Sequence, residues 1–307
     1  MAEISRVLIT GGLGFIGTAV CRNLMERGIQ PIVLDRKGQK GRWLDGVIYY
    51  VGDVRNENTI DDIMYDAYPD GVIHLAALLG TQETVYNPRK AAETNIFGSL
   101  NVFSAIANHD VKAVYIAVGN HWMNNPYSIT KTCAERFALM CNKEWQTQIA
   151  VVRGLNVYGP GQKAKPVRKV MPNFVEPALR GGTITIYGSG DQVMDMIYID
   201  DMAEVLVRAL VMDHGCYDKV IEAGMGDDTT VNDLAKMVVD EVGMGKLNYV
   251  DMRAGEEPDS VVRADTTNME KYLDYGPDVM VPLAEGVRRT VMAYEKQRMA
   301  IQELSLA

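Results

Sequence analysis

The chain has 307 residues, 47% of them hydrophobic and 23% charged, which excludes a disordered chain or a coiled coil and suits one large domain or two intimate ones. Its 31 basic and 40 acidic side chains leave a formal net charge of −9, which argues against a nucleic-acid partner. Cys21, Cys133, Cys141 and Cys216 show neither CxxC spacing nor histidines at ligand intervals, so no disulfide framework and no metal site are expected.

In chain order, short runs rich in Val and Ile at 7–10, 31–34, 47–51, 71–75, 111–118 and 149–152 are apolar on both faces, as in a parallel sheet covered on both sides. Amphipathic stretches at 15–27, 59–67, 88–108 and 126–143 predict helices between them. This alternation implies right-handed crossovers and an α/β fold, a Rossmann-type doubly wound parallel sheet. After Asn156 the pattern changes to Gly- and Pro-rich punctuation, with strands predicted at 183–187 and 220–223 and helices at 202–212, 231–242 and 283–302. Residues 1–156 are therefore expected to form the domain built on this sheet. Residues 157–307 are expected to form mainly a smaller substrate lobe, with 197–225 returning to the sheet. No apolar run approaches the roughly 18 residues of a membrane span, and strand-like sequence by Val7 leaves no room for a signal peptide, so a cytoplasmic protein without a membrane partner is expected.

The first strand runs directly into Gly11-Gly12-Leu13-Gly14-Phe15-Ile16-Gly17 and then a helix. Glycines in a strand–turn–helix let backbone N–H groups approach a pyrophosphate, and the helix N-terminus favours the anion. Asp35 ends the second strand, where a carboxylate can accept from an adenosine ribose and repel a 2′-phosphate, favouring NAD over NADP. Arg36 and Lys37 follow it and leave the opposite pairing open. Asp53 and Val54 end the third strand, where they can meet the adenine. Leu75, Ala76 and Ala77 end the fourth, where small side chains admit a cofactor. His74 reads as a packed strand-end histidine.

Tyr127 and Lys131 lie four apart on a predicted helix and so share a face. A phenol acting as a base near pH 7 needs its pKa lowered from about 10 by roughly three units. A lysine ammonium one turn away has the charge to do so, as has an oxidised nicotinamide. Asp200 and Asp201 precede a helix and read as its N-terminal capping carboxylates rather than metal ligands.

These segments, together with Asn95, Gly98 and the stretches 153–161 and 188–201, resemble the extended short-chain dehydrogenase/reductases of the NAD-dependent nucleotide-sugar epimerase/dehydratase group. The resemblance implies NAD as cofactor, a nucleotide-diphosphate sugar as substrate, Tyr127 as acid/base, and Lys131 also holding the nicotinamide ribose. It implies that Asn156 contacts the sugar or its diphosphate, that Arg253 pairs with the diphosphate, and that Tyr187 flanks the base. Thr81 would line the sugar pocket. The helices at 88–108 and 126–143 resemble those that pair in a homodimer.

Two departures stand out. The family's Ser or Thr after the fifth strand is replaced by Ala117-Val118-Gly119-Asn120-His121. Either Asn120 or His121 supplies the missing donor, or the substrate meets Tyr127 with a single side-chain partner. A family arginine is replaced by Met194 ahead of Asp195. The basic run Lys163, Lys165, Arg168 and Lys169 is open to three readings: compensation for that arginine, recognition of a uronate, or a solvated loop. The group's 4,6-dehydratases carry Thr-Asp-Glu where this chain has no carboxyl. An epimerase acting at sugar C4 is therefore expected, with a dehydratase, decarboxylase or reductase, or a silent NAD-binding regulator, as the alternatives.

Overall fold

The structure, a computed structural model, describes residues 4–36 and 44–306. The first half runs β1 (Arg6–Thr10), α1 (Phe15–Glu26), β2 (Gln30–Asp35), β3 (Ile48–Val51), α2 (Glu57–Ala67), β4 (Gly71–His74), α3 (Thr81–Val85), α4 (Pro88–Ala92), a π-helical turn (Glu93–Phe97), α5 (Gly98–His109), β5 (Lys112–Val118), α6 (Pro126–Glu144) and β6 (Ile149–Gly154). It continues through β7 (Asn156–Tyr158), α7 (Val170–Ala178), β8 (Thr183–Tyr187), β9 (Val193–Met194), β10 (Met196–Tyr198), α8 (Ile199–Val211) and β11 (Val220–Ala223). The last elements are α9 (Val231–Val242), β12 (Lys246–Val250), β13 (Val261–Val262), α10 (Thr267–Leu273) and α11 (Leu283–Leu306).

Seven strands form one parallel sheet in the order β11-β6-β5-β4-β1-β2-β3. The fold is thus the doubly wound Rossmann type that the alternation of elements predicts. The strand order reverses between β1 and β4, which opens a crevice at their carboxyl ends, where such sheets bind ligands.

Alternation along β1 divides the core. Leu8 packs with Ile32 and Leu34 of β2, Ile60 and Met64 of α2, and Phe103 and Ile106 of α5. Val7 and Ile9 face the other way, into a cluster holding Val20 and Leu24 of α1 and Val205 and Leu206 of α8. That second cluster runs on without a break through Phe174 of α7, Ile184 and Ile186 of β8, and Val238 of α9. The later half therefore shares its core with one face of the sheet. β11 extends the sheet beyond β6, and α8 is held to α1 by Glu204, which accepts from Asn23 and pairs with Arg27.

Three differences from expectation have local causes. The single helix predicted at 88–108 is α4 and α5 joined through the π-helical turn, an irregularity invisible to a 3.6-residue period. The helix predicted at 202–212 starts at Ile199, so Asp200 and Asp201 lie within its first turn. Asp201 accepts from the Tyr275 hydroxyl at 2.7 Å and the Val281 N–H at 3.0 Å, a structural tie. Strands β7, β9, β10, β12 and β13 are too short or too exposed to show a period, and they build three small parallel pairs, β10–β7, β12–β8 and β13–β9. Among the described residues, no helix is long and apolar enough to cross a membrane and no group of three or more His, Cys, Asp or Glu side chains could hold a metal.

Candidate active site

The turn after β1 is closed by Gly11 N–H donating to the Leu34 carbonyl at 2.8 Å and by Gly14 N–H donating to the Gly11 carbonyl at 2.9 Å. Gly11 has φ +74, and a β-carbon there would stand 2.9 Å from Ala76 N; one on Gly17 would stand 2.6 Å from the Gly11 oxygen, and one on Gly14 3.0 Å from it. Turn, helix and the segment after β4 therefore meet backbone to backbone. Gly12 is required too, since its β-carbon would lie 2.5 Å from Val33 Cγ2. The N-cap Gly14 offers α1 no side-chain acceptor, and its first turn carries no acidic residue. The leading N–H groups, including those of Phe15, Ile16 and Gly17, have no partner within the helix and are suited to an anion.

Asp35 stands at the end of β2, its carboxylate accepting from Leu13 N–H at 3.2 Å and Arg36 N–H at 2.8 Å, which moors it against the glycine turn. Lys37 lies outside the described residues. Asp53 is gripped by Arg55 through Nε at 3.0 Å and Nη2 at 2.7 Å, bonds that hold its carboxyl below the ordinary range. Val54 is buried beside Gly98, and its carbonyl accepts from Asn101 at 2.9 Å.

The segment Leu75–Ala77 is positioned by a chain of hydrogen bonds. Ala76 N–H donates to Thr10 Oγ1 at 3.3 Å, and Thr10 meets His74 Nδ1 at 2.6 Å. His74 Nε2 meets Ser99 Oγ at 2.9 Å, and Ser99 donates to the Asn95 carbonyl at 2.7 Å. Donors running in one direction place the imidazole proton on Nε2. Burial pushes the His74 pKa down to about 3, with Lys131 nearby adding to the effect, so the ring is neutral and structural, as its position at a strand end suggests. Asn95, in the π-helical turn, grips Leu78 through both its N–H (2.7 Å) and its carbonyl (3.1 Å) and donates to Thr130 of α6 at 3.0 Å. The cofactor edge is thereby joined to the helix bearing Tyr127 and Lys131.

α6 begins at the N-cap Asn125, whose Oδ1 accepts from Ser128 N–H at 2.9 Å, with Pro126 at the first helical position. Lys131 is buried, its ammonium 4.1 Å from the Tyr115 ring centroid, while the Tyr115 hydroxyl donates to the Lys131 carbonyl at 3.0 Å. Burial brings the Lys131 pKa down to about 7, against an opposing pull from Glu135, and pushes the Tyr127 phenol up to about 12. In the protein alone, desolvation thus opposes charge on both groups, and the nicotinamide cation that the expectation also invoked is not part of this balance.

Tyr127 lines a cleft with Thr81, Gln82, Glu83, Arg168, Lys169, Arg253 and Glu256. Arg253 lies over the Tyr187 ring, 4.8 Å to the centroid, and pairs with Glu256 at 2.7 Å, while its Nε is buried without a partner. The Arg168 guanidinium donates to the Tyr187 hydroxyl, so the ring is bracketed by two cations. Burial lowers the Lys169 pKa, with Glu83 and Glu256 opposing. The fold thus brings Thr81, Tyr127, Tyr187 and Arg253 together with part of the basic run. Met194, where the family arginine is expected, pairs with Val262 in a two-stranded ladder.

Asn120, His121 and Asn156 are absent from the cleft wall. The Asn120 amide accepts from Ser128 Oγ at 3.2 Å and donates to Met123 Sδ at 3.1 Å, which leaves it engaged in its own turn. His121 Nδ1 lies 3.2 Å from the Gly119 carbonyl, and Asn156 Nδ2 donates to the Asp195 carbonyl at 3.0 Å. Sequence reasoning missed Gln82, Glu83, Glu256 and Asn125. Of these only Asn125 carried a readable signal, a capping residue directly before a proline.

The sequence model of the NAD dependent epimerase/dehydratase family matches residues 7–224. A dTDP-glucose 4,6-dehydratase of Streptomyces antibioticus is 29% identical over 321 residues, covering 95% of this chain and 93% of that protein. A crystal structure of UDP-glucose 4-epimerase from Thermotoga maritima with UDP-glucose superposes with a TM-score of 0.88 at 30% identity, covering 95% of this chain and 99% of that one. UDP-glucose 4-epimerase from Thermus thermophilus, in complex with NAD, gives 0.85 at 25% identity, covering 94% and 99%.

Proposed function

The chain belongs to the NAD-dependent epimerase/dehydratase family, enzymes of nucleotide-sugar chemistry on an NAD-binding scaffold, and from that premise we propose that it inverts the C4 centre of a nucleoside-diphosphate sugar. NAD is the cofactor, and the cradle formed by Gly11, Gly14 and Gly17 fits it, because a β-carbon at Gly11 or Gly17 would enter backbone atoms and one at Gly14 would press on the Gly11 carbonyl. Phe15 and Ile16 bring N–H groups to the pyrophosphate and Asp35 takes the ribose. Asp53, with Val54, faces the adenine through a carboxylate shared with Arg55. Leu75, Ala76 and Ala77 wall the nicotinamide side. Bound NAD supplies a hydride acceptor that returns the same hydride, and a positive charge beside the phenol.

Tyr127 takes the proton of the C4 hydroxyl as C4 is oxidised and gives it back when the other face is reduced. Lys131 holds the ribose and, once charged, stabilises the phenolate. Arg253, Arg168 and Lys169 bind the diphosphate. The two arginines bracket Tyr187, which packs beside the base, and Thr81 meets the sugar. Asn120 supports the turn before Tyr127, while His121 and Asn156, engaged with the Gly119 and Asp195 carbonyls, have no part in this reading.

One observation carries the choice of epimerisation. The turn leading to Tyr127 offers no carboxyl, and both carboxylates of the cleft are committed, Glu256 to Arg253 and Glu83 to the Arg168 N–H. Water elimination needs a free acid and base; epimerisation needs only the phenol. The cleft's three cations and two carboxylates leave a surplus of one positive charge, which the two negative charges of a diphosphate already exceed, so the charge balance favours an uncharged sugar. The cations Arg168 and Lys169 also give a second reading, a uronate substrate that is epimerised or decarboxylated. Incubation with NAD and UDP-, GDP- and dTDP-sugars, followed by NMR, tests both. An inverted C4 supports epimerisation, a 4-keto-6-deoxy product overturns it, and turnover confined to uronates selects the second reading. Binding of NAD without turnover on any sugar would mark a regulator.

Phe97 and Ile129 expose 60% and 53% of their surface on the two helical segments expected to pair in a homodimer. A dimer by light scattering, lost in a Phe97→Glu variant, is the corresponding test.

A further inference from the structure

Asn125 is fully buried and uses both ends of its amide. Oδ1 caps α6 through Ser128, and Nδ2 donates at 3.2 Å to the carbonyl of Gly255, in the turn that carries Arg253 and Glu256. That turn is closed by Glu256 N–H donating to the Arg253 carbonyl at 3.3 Å. Gly255, at φ +82, lies in a notch between α3 and the start of α6: its β-carbon would stand 3.1 Å from Val85, 3.2 Å from Thr81 and 3.4 Å from Asn125. Helix capping needs only an acceptor, which serine or aspartate supplies equally well. The amide donor is surplus to capping, and it is this half that reaches across to the substrate-binding turn.

We propose that Asn125 is a positioning residue that ties the helix bearing Tyr127 to the turn bearing Arg253, so that one buried amide sets the reacting phenol relative to the guanidinium that binds the diphosphate. The assignment rests on the nucleotide-sugar reading of the cleft given above. Asn125→Asp keeps the cap and replaces the donor by an acceptor, Asn125→Ser keeps the cap on a side chain too short for its hydroxyl to reach the Gly255 carbonyl, and Gly255→Ala pushes the turn out of its notch. In the NAD-loaded enzyme each is expected to raise KM for the nucleotide sugar about five- to tenfold, the scale of one lost hydrogen bond, with kcat changed less than twofold. In an Arg253→Ala background, Asn125→Ser is expected to add nothing. An unchanged KM, or a fall in kcat at unchanged KM, would show a helix cap only and overturn the proposal. If the wild-type enzyme neither binds nor turns over any nucleotide sugar, the functional reading fails separately. Amide exchange at residues 254–256 then decides the tether: faster exchange in Asn125→Ser supports it, and unchanged exchange overturns it.

Discussion

Gly119, at the end of β5, lies so close to Leu155 that a β-carbon built on it would stand 2.8 Å from Leu155 Cγ and 2.9 Å from its Cδ1. At position 119, then, a hydroxyl-bearing side chain would collide with Leu155. Introducing one as Gly119→Ser should destabilise the protein by about 1–3 kcal/mol without raising turnover, as overpacking of a filled core does. Combining it with Leu155→Ala should cost less than the sum of the two changes. Urea unfolding of the four proteins checks this, and a neutral single substitution would refute it.

Tyr127→Phe removes the only group assigned to proton transfer and leaves the glycine cradle untouched. Turnover is expected to fall at least about a hundredfold. NAD affinity, followed by fluorescence titration, should stay within twofold of wild type. Unchanged turnover would take Tyr127 out of the mechanism.

At Gly11, Ala combines a left-handed backbone with a β-carbon 2.9 Å from Ala76 N. The backbone penalty alone is about 1–2 kcal/mol, and the segment Leu75–Ala77 must also move. NAD binding is expected to weaken at least tenfold, with a lower Tm. Full affinity by calorimetry would contradict the backbone-to-backbone account of the cradle.

Asp35→Asn removes the carboxylate that opposes a 2′-phosphate while keeping an acceptor for Leu13 N–H. With Arg36 adjacent, the ratio of NADP to NAD affinity is expected to rise about tenfold. A ratio that does not move would mean Asp35 serves only its turn.

His74 provides a pH test with a definite sign. Its pKa is about 3 when folded, against 6.5 in the reference state. Between these values the unfolded chain binds a proton that the native state refuses, so stability falls as pH drops from about 6.5 toward 3. His74→Gln, measured by urea unfolding at pH 7 and pH 4.5, should lose less stability over that interval than wild type. Parallel losses would mean the ring is protonated in the native state.

How much was legible follows from the range of each signal. The sheet strands, the glycine turn, Asp35 and the Tyr127–Lys131 pair rest on neighbours in sequence, and local periodicity and spacing report them directly. Arg168 and Lys169 could be listed as a basic run, yet only the packing of the turns beside α3 and α6 assigns them to the cleft with Arg253. Asn120 looked available because a sequence does not show that Ser128 and Met123 occupy its amide.

The sequence by itself determined the Rossmann sheet, the glycine turn and the shared helix face of Tyr127 and Lys131, because each is a short-range pattern of side-chain size, charge and backbone freedom. The tertiary structure alone decided which cations share the cleft with Tyr127, why position 119 has no room for a side chain, and that burial opposes charge on both Tyr127 and Lys131. Those outcomes depend on steric exclusion and desolvation between groups far apart in the chain, and both exist only once the chain is packed.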